Sequence, residues 1–217
     1  MRMSTADAAE RLGMSRRGAS YAIRDAGFVE EVGNASFVDH LAVLMVARSR
    51  GEGRRWAAET ALAAFDLLDR GTTDRLRHDS RSRLRSQLKT QDAAAIAHRA
   101  EGVLGRIRRV SAPRGTARID AEAAVAAMSG LDEAGTLDLG IHGGLDGTRY
   151  LRTPGGESRQ DLVRTGLVDD AGGDIVLLAG AIGPQSASRV LLECYLLGDT
   201  RMMRAAADVL ASRARTL

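Results

Sequence analysis

The sequence predicts a mainly α-helical protein with small β elements. Aromatic residues make up only 3% of the 217 residues, so the core must consist mostly of Ala, Leu, Val, Ile and Met, and such small side chains favour closely packed helices. From residue 119 onward, the pattern changes to short β-prone runs separated by glycine-rich turns. We therefore expect a helical N-terminal part and middle, followed by a small α+β C-terminal module.

The net charge of +3 conceals a segregation of charge along the chain. Residues 1–70 carry ten Arg and ten acidic residues, residues 71–118 carry eleven Arg and one Lys against four acidic residues, and residues 119–217 carry nine Arg against fourteen. A stretch with proline and glycine at 111–115 breaks the helical pattern. Charge and pattern together predict three parts with separate roles, at 1–70, 71–112 and 116–217.

Residues 4–27 have the pattern of two short helices joined by a tight turn. Ser4 or Thr5 can cap the first helix, which carries an alanine-rich apolar stripe. Gly13 suits a helix C-terminus because glycine adopts positive φ without a Cβ clash, and Ser15 can cap the second helix.

The second helix places small apolar residues on one side and arginines on the other. Such a helix suits the major groove of DNA, where an arginine fork reaches guanine O6 and N7 or a phosphate, and where the helix N-terminus favours phosphate oxygens. An ordinary helical hairpin with solvated arginines is the alternative. The candidate DNA-binding residues of this helix are Ser15, Arg16, Arg17, Ser20, Tyr21 and Arg24.

This stretch resembles the excisionase/MerR-like helix-turn-helix, whose pattern is a hydroxyl residue, an Ala-Ala pair, Leu-Gly-apolar-Ser and then a variable recognition helix. The matching residues are Ser4, Thr5, Ala8, Ala9, Leu12, Gly13, Met14 and Ser15. The resemblance implies binding of double-stranded operator DNA.

Two short β-prone runs, at 28–32 and 35–38, are separated by a Gly-Asn pair and predict a hairpin, because both turn residues tolerate positive φ. A hairpin directly after a helix-turn-helix is typical of a wing, so the predicted N-terminal domain is a winged helix-turn-helix. Phe28 and Phe37 are expected to pin the wing to the helices. Two adjacent glutamates in the first strand would repel phosphate.

Asp39 can cap a helix over residues 40–48, and a further helix is predicted over 56–68. The loop between them contains glycines and arginines, a composition that can follow a DNA backbone or enter a minor groove. A solvated linker is the alternative. The candidate DNA contacts of the loop are Arg50, Arg54 and Arg55.

Residues 73–89 predict a basic helix with little apolar surface to bury on its own, so it needs DNA, an acidic partner or the acidic C-terminal tail as cover. A more amphipathic helix follows over 92–107, and Arg106, Arg108 and Arg109 are expected to extend the basic surface. The candidate partner-binding residues are Leu84, Leu88, Arg81 and Arg85.

The C-terminal module is predicted to contain short helices and strands. Its glycine-rich run at 143–147 favours a β-turn over a phosphate-binding loop, because it lacks a Gly-Lys-Ser/Thr ending. The aspartates within 169–174 favour turn chemistry over a metal site. The predicted helices are 120–128, 159–165, 188–197 and 200–213, and the predicted strand pairs are 137–141 with 148–152 and 167–168 with 175–178.

A winged head, an arginine-glycine loop, a helical middle and a small α+β module are together similar to the regulatory partner of AbiE-type toxin–antitoxin pairs. The C-terminal part of this match consists of Gly198, Asp199, Arg201, Ala205 and Ala206. The resemblance implies an antitoxin and autorepressor whose partner is a nucleotidyltransferase-fold toxin encoded next door.

The leading hypothesis is therefore a DNA-binding antitoxin, and the alternative is a stand-alone transcriptional regulator with a C-terminal sensing or dimerisation domain, so homodimer formation stays open. An enzyme is not expected, because His40, His78, His98 and His142 lie on separate predicted elements without a common motif. Neither a cofactor nor a metal site is expected. The single Cys194 and the lack of a long apolar run predict a cytoplasmic protein without a membrane span.

Overall fold

The computed structural model describes residues 2–51, 53–112, 149–153, 158–184 and 186–217. The chain is mainly helical with small sheets, as the sequence predicts. It divides into two compact units, and each unit combines segments that are distant in sequence. The first unit contains the described residues within 2–47, 105–112 and 149–181, and the second contains those within 48–104 and 182–217. The functional division at 1–70, 71–112 and 116–217 stays a prediction.

The first unit opens with a three-stranded antiparallel sheet and three helices. The strand order is β1-β3-β2, and a two-residue turn, Gly33-Asn34, joins β2 to β3. The predicted hairpin is confirmed, whereas β1 is too short for an alternating pattern to predict it. The element bounds are β1 Arg2–Ser4, α1 Thr5–Leu12, α2 Arg16–Ala26, β2 Val29–Val32, β3 Ala35–Asp39 and α3 His40–Arg48.

Capping residues set the helix ends in this part of the chain. The Ser4 hydroxyl accepts the backbone N–H of Asp7, and the Ser15 hydroxyl accepts that of Gly18, each at 3.1 Å. Gly13 ends α1 in the left-handed conformation with φ 61°. Caps of this kind each stabilise a helix by about 1 kcal/mol. The two predicted helices and the turn between them are confirmed.

The described part of the first unit also contains a four-stranded mixed sheet, in the order β5-β7-β4-β6. β4 is antiparallel to β6 and β7, whereas β5 is parallel to β7. Helix α7 begins with a capping box between Ser158 and Asp161, and it covers a core cluster that includes Val110, Leu162 and Ile175. The element bounds are β4 Arg106–Ser111, β5 Arg149–Thr153, α7 Arg159–Thr165, β6 Val168–Asp169 and β7 Ile175–Ala179.

The strand β4 corrects two predictions. The helix expected over 92–107 ends at Leu104, because Gly105 has φ 89° and a Cβ there would lie 3.0 Å from backbone atoms of Leu178. The expected pairing of 167–168 with 175–178 is also wrong, since β4 lies between β6 and β7. The expected helix 120–128, strand 137–141 and glycine-rich run 143–147 lie outside the described residues.

Within its described residues, the second unit is a helical bundle in which α4 packs against each of four other helices. The inner face of α4 includes three fully buried alanines, so the helices approach closely, as the low aromatic content predicts. The last two helices begin where the Ser186 and Asp199 side chains accept backbone N–H groups. The element bounds are α4 Ala58–Arg70, α5 His78–Leu88, α6 Ala93–Leu104, α8 Ala187–Leu197 and α9 Thr200–Arg215.

A fully buried arginine connects three segments of the second unit. The guanidinium of Arg189 donates to the carbonyl oxygens of Val103 and Ile182, the latter at 2.6 Å. Its Nε also donates to Glu193, one turn further along α8, at 3.3 Å. A buried charge is tolerated when it is paired and hydrogen-bonded in this way. Arg189 is therefore a structural residue.

Candidate nucleic-acid interface

The outer face of α2 carries the side chains predicted to contact DNA. Arg16, Arg17 and Arg24 are exposed, Tyr21 is 60% exposed, and Ser20 is half-buried. Ser15 caps the helix and is also exposed. The structure therefore brings all six predicted residues of this helix together on one element.

The opposite face of α2 is built from small and branched apolar residues. Ala19, Ile23 and Ala26 are buried against the rest of the first unit. Just after the helix, the backbone N–H of Phe28 donates to the carbonyl of Ile107 at 3.1 Å, which connects the end of α2 to β4. A helix held on one face in this way presents the other face at a defined orientation.

The arginines of α2 differ in their surroundings. The guanidinium carbon of Arg17 lies 5.9 Å from the centroid of the Tyr21 ring, one turn further along the helix. Neither Arg16 nor Arg24 forms an ion pair or a ring contact with any residue that the structure describes. Exposed and unpaired guanidinium groups are suited to phosphates or to guanine edges.

Arg11 is an exposed arginine of α1 that was not predicted to contact DNA. This residue lies in the last turn of α1 and is exposed, so the α1–α2 pair presents a fourth guanidinium group to solvent. Its position immediately before the buried Leu12 is the only sequence signal that it points outward.

Strand β2 of the hairpin carries two exposed glutamates. Glu30 pairs with Arg2 of β1, and Glu31 is exposed. Phe28 was expected to pin the hairpin to the helices. Its ring instead lies under the guanidinium groups of Arg106 and Arg108, at 4.0 and 4.7 Å from the centroid. The ring therefore anchors the base of the hairpin to β4.

The expectation that the β4 arginines extend a basic surface is wrong for Arg108 and Arg109. Arg108 is buried and forms two hydrogen bonds with Asp169, at 2.6 and 2.7 Å. Arg109 is mostly buried and donates from Nε to Asp39 at 2.6 Å. Both guanidinium groups are therefore paired with carboxylates of the first unit, in which β4 lies between β7 and β6.

The pKa of Asp39 reflects this pairing. Burial alone would raise the pKa of the Asp39 carboxyl, but hydrogen bonds from His40, Arg109 and the backbone N–H of Leu41 outweigh burial and hold the pKa well below its usual range. The same carboxylate also caps α3 through Leu41 at 2.9 Å. Asp39 therefore joins the end of β3 to both α3 and β4.

A cleft of about 280 Å³ opens in the first unit between β2, β3, β4 and the turn after β6. Phe37 and Val38 contribute apolar surface to the cleft, and Glu30 and Asp170 contribute carboxylates. No local pattern predicts this cleft, because its walls come from segments far apart in the chain. The guanidinium groups in its wall, those of Arg2, Arg108 and Arg109, are paired with acidic residues of the same wall.

The arginine-glycine loop belongs to the second unit and packs along α6. His98 Nε2 lies 3.0 Å from the carbonyl oxygen of Gly53, and the Trp56 backbone N–H donates to the carbonyl of Arg99 at 2.8 Å. Gly53 has φ 99°, and a Cβ there would lie 2.6 Å from the Arg99 guanidinium. Glycine is favoured at this position because its φ lies in a region that L side chains rarely adopt, whereas the Arg99 side chain can move.

The three loop arginines predicted to contact DNA are all exposed. Arg55 is paired with Glu101 of α6 at 2.9 Å, so part of its charge is neutralised within the chain. Arg48, at the start of the loop, donates to the carbonyls of Leu196 and Gly198 at 2.9 and 2.7 Å and thereby caps the end of α8. The structure does not place these residues on the same unit as α2.

The predicted partner-binding residues of α5 are buried or hydrogen-bonded within the second unit. Leu84 and Leu88 are buried. Arg81 donates to the carbonyl of Thr73 at 3.1 Å, and Arg85 donates to the carbonyl of Gly71. This arrangement is at odds with a partner-facing role, because the thin apolar stripe of α5 is covered by the chain itself.

The histidines form no common centre in the part of the chain that the structure describes. His40 lies beside Asp39, His78 beside Asp79, and His98 contacts the loop, while His142 lies outside the described residues. No group of three potential metal ligands occurs among the described residues. Burial raises the pKa of the Cys194 thiol to about 12, with a smaller contribution from Glu193.

Comparison of the chain with protein-family models, with curated proteins and with solved structures found no match. Within the described residues, no helix combines the length and apolar character needed to cross a membrane.

Proposed function

We propose that the protein is a sequence-specific DNA-binding regulator, in which α1, α2 and the hairpin β2–β3 act as a winged helix-turn-helix. The observation that supports this proposal best is the arrangement of α2, whose inner face is buried while three arginines on its outer face are exposed. The two contacting helices, the left-handed Gly13 turn and the Ser15 cap agree with the sequence resemblance to excisionase/MerR-like proteins.

The charges around α2 indicate how the binding energy is distributed. The helix N-terminus and the guanidinium groups of Arg16 and Arg24 favour phosphate oxygens, whereas Arg17 is suited to a base edge. The exposed Glu31 and the paired Glu30 make the hairpin a poor phosphate ligand. Sequence-specific binding therefore rests on α2 rather than on the wing.

The test is selection of preferred duplexes from a random pool, followed by titration of variants. Arg17→Ala should cost about 1–3 kcal/mol of discrimination between the selected duplex and one with a changed guanine. Arg204→Ala, an exposed arginine of α9, is the matched control and should bind like the wild type. Recovery of no preferred sequence, together with no DNA binding at low salt, would reject the proposal.

We extend the same proposal to an antitoxin role, in addition to DNA binding. It rests on the similarity to AbiE-type regulators, and it names a nucleotidyltransferase-fold toxin and operator DNA as the two partners. Co-expression with the product of the adjacent reading frame, followed by pull-down and a growth assay, tests it. A stable complex that restores growth supports an antitoxin, and growth rescue without any complex indicates repression of toxin expression as the mechanism.

A stand-alone regulator is the competing function, and one observation favours it. The side chains expected to contact a toxin on α5 are buried in this chain or bonded to its own carbonyls. The cleft beside the hairpin gives such a regulator a place for a small effector. An adjacent gene for a transporter or a metabolic enzyme, with no effect of its product on growth, favours this function.

A further inference from the structure

Tyr21 is a large side chain whose exposure is not explained by core packing. Its ring is 60% exposed, on the same outer face of α2 as Arg17. The two residues are separated by four positions, which places their side chains next to each other on a helix surface. The guanidinium carbon of Arg17 lies 5.9 Å from the ring centroid, within the range of a cation–π contact.

This contact changes what Arg17 can do. A long arginine side chain in solvent has many rotamers, and fixing one of them opposes binding. A contact between the guanidinium carbon and the ring restricts those rotamers, and the N–H groups that point away from the ring can still donate. Those N–H groups form the fork that reads guanine O6 and N7. Arg16 and Arg24 have no comparable ring contact among the described residues.

We infer that Tyr21 is a positioning residue that holds Arg17 in the orientation for guanine recognition. Arg17 is then the base-reading arginine of α2, and Arg16 and Arg24 serve the phosphates. The inference rests on the proposed DNA binding and adds what orients the arginine that confers specificity.

A double-mutant cycle in the full-length chain tests this assignment. The variants are Tyr21→Ala, Tyr21→Phe, Arg17→Ala and the Arg17→Ala/Tyr21→Ala double variant, and Arg16→Ala is the matched control. Each variant is titrated against the selected duplex and against the same duplex with its contacted guanine replaced. Circular dichroism and thermal melting verify that each variant is folded.

Tyr21→Ala should reduce discrimination at the guanine about two- to fivefold, the range expected for an exposed cation–π contact. Tyr21→Phe should restore discrimination because the ring remains. In the Arg17→Ala background, Tyr21→Ala should cause no further loss of discrimination. Arg16→Ala should weaken binding to both duplexes equally and lower the salt dependence by about one phosphate contact.

Two results would overturn the inference while leaving the proposed function intact. A loss in the double variant equal to the sum of the single losses would show that Tyr21 contacts DNA independently of Arg17. A Tyr21→Phe variant as poor as Tyr21→Ala would assign the effect to the hydroxyl. Failure of the wild type to select any sequence would instead reject the proposed function together with the inference.

Discussion

Arg48, Arg109 and Arg189 each direct a guanidinium group at carbonyl oxygens or carboxylates of their own unit. Arg189 is fully buried, and the Arg109 side chain is nearly so. The guanidinium group has five donors in a rigid fork, so one side chain can satisfy several backbone carbonyls at once. These arginines contribute to the core of each unit more than to its surface charge.

At the scale of single residues, the buried pair of Asp39 and Arg109 gives a testable prediction. Asp39→Asn should lower the free energy of unfolding at pH 7 by about 3–5 kcal/mol, because it leaves a buried guanidinium without its counter-charge. Urea denaturation followed by circular dichroism measures this change. Glu31→Gln, an exposed neutralisation on the adjacent strand, is the control and should have a small effect.

The pH dependence of the same pair has a defined sign. The pKa of Asp39 is lower in the folded than in the unfolded state, so its contribution is complete above the unfolded pKa of about 4. That contribution declines as the pH falls below 4 toward the folded pKa. The wild type should therefore lose stability more steeply than Asp39→Asn in this range, and parallel pH profiles would contradict the assignment.

At the scale of single elements, local signals predicted the α1–α2 pair and α7, whereas β4 was missed. The helices are specified by neighbouring residues, such as the Ser15 cap and the Ser158–Asp161 capping box. The predicted helix extended to residue 107, and the strand conformation of 106–111 depends on pairing with residues about 70 positions away. The sequence of one segment alone does not identify the strand with which it pairs.

The candidate site also has a part that the sequence predicted and a part that it did not. The face of α2 was predictable, because its residues lie on one helix and follow its period. The cleft and the internal pairing of the basic residues were not, since Arg108 meets Asp169 and Arg109 meets Asp39 only after folding. A count of arginines in the sequence therefore overestimates the basic surface of the middle segment.

Helix α5 provides a prediction that separates core from interface. Leu88→Ala should lower the free energy of unfolding of the full chain by about 2–5 kcal/mol in the absence of any partner, because the side chain is fully buried. Lys89→Ala, the exposed neighbour, should change it by less than about 0.5 kcal/mol. A Leu88→Ala variant as stable as the wild type would instead indicate that Leu88 contacts a partner.

At the scale of the whole molecule, each unit depends on segments from both halves of the chain. The first unit joins the sheet β1-β3-β2 to strand β4 and to the C-terminal strands of its second sheet. The second unit joins α4, α5 and α6 to the last two helices. A cut at residue 70 therefore removes contacts that belong to both units.

A fragment of residues 1–70 should consequently be less stable than the full chain by at least about 3 kcal/mol, because it lacks Arg109, the buried partner of Asp39. Its NMR spectrum should show poor dispersion, and its affinity for the selected duplex should be lower than that of the full chain. A fragment with a well-dispersed spectrum and unchanged affinity would show that the head folds without the second sheet.

The position of β4 also matters while the chain is being made. A ribosome adds residues at about 5–20 per second, so β7 follows β3 by a delay on the order of ten seconds. During that interval α2 is already synthesised, but β7 is not. Ile107, which accepts the backbone N–H of Phe28, and Arg109, which pairs with Asp39, lie on β4, and β4 still lacks its neighbour β7. Nascent chains therefore expose the arginines of α2 well before the unit that orients them exists, so the proposed DNA binding requires a chain synthesised at least through β7.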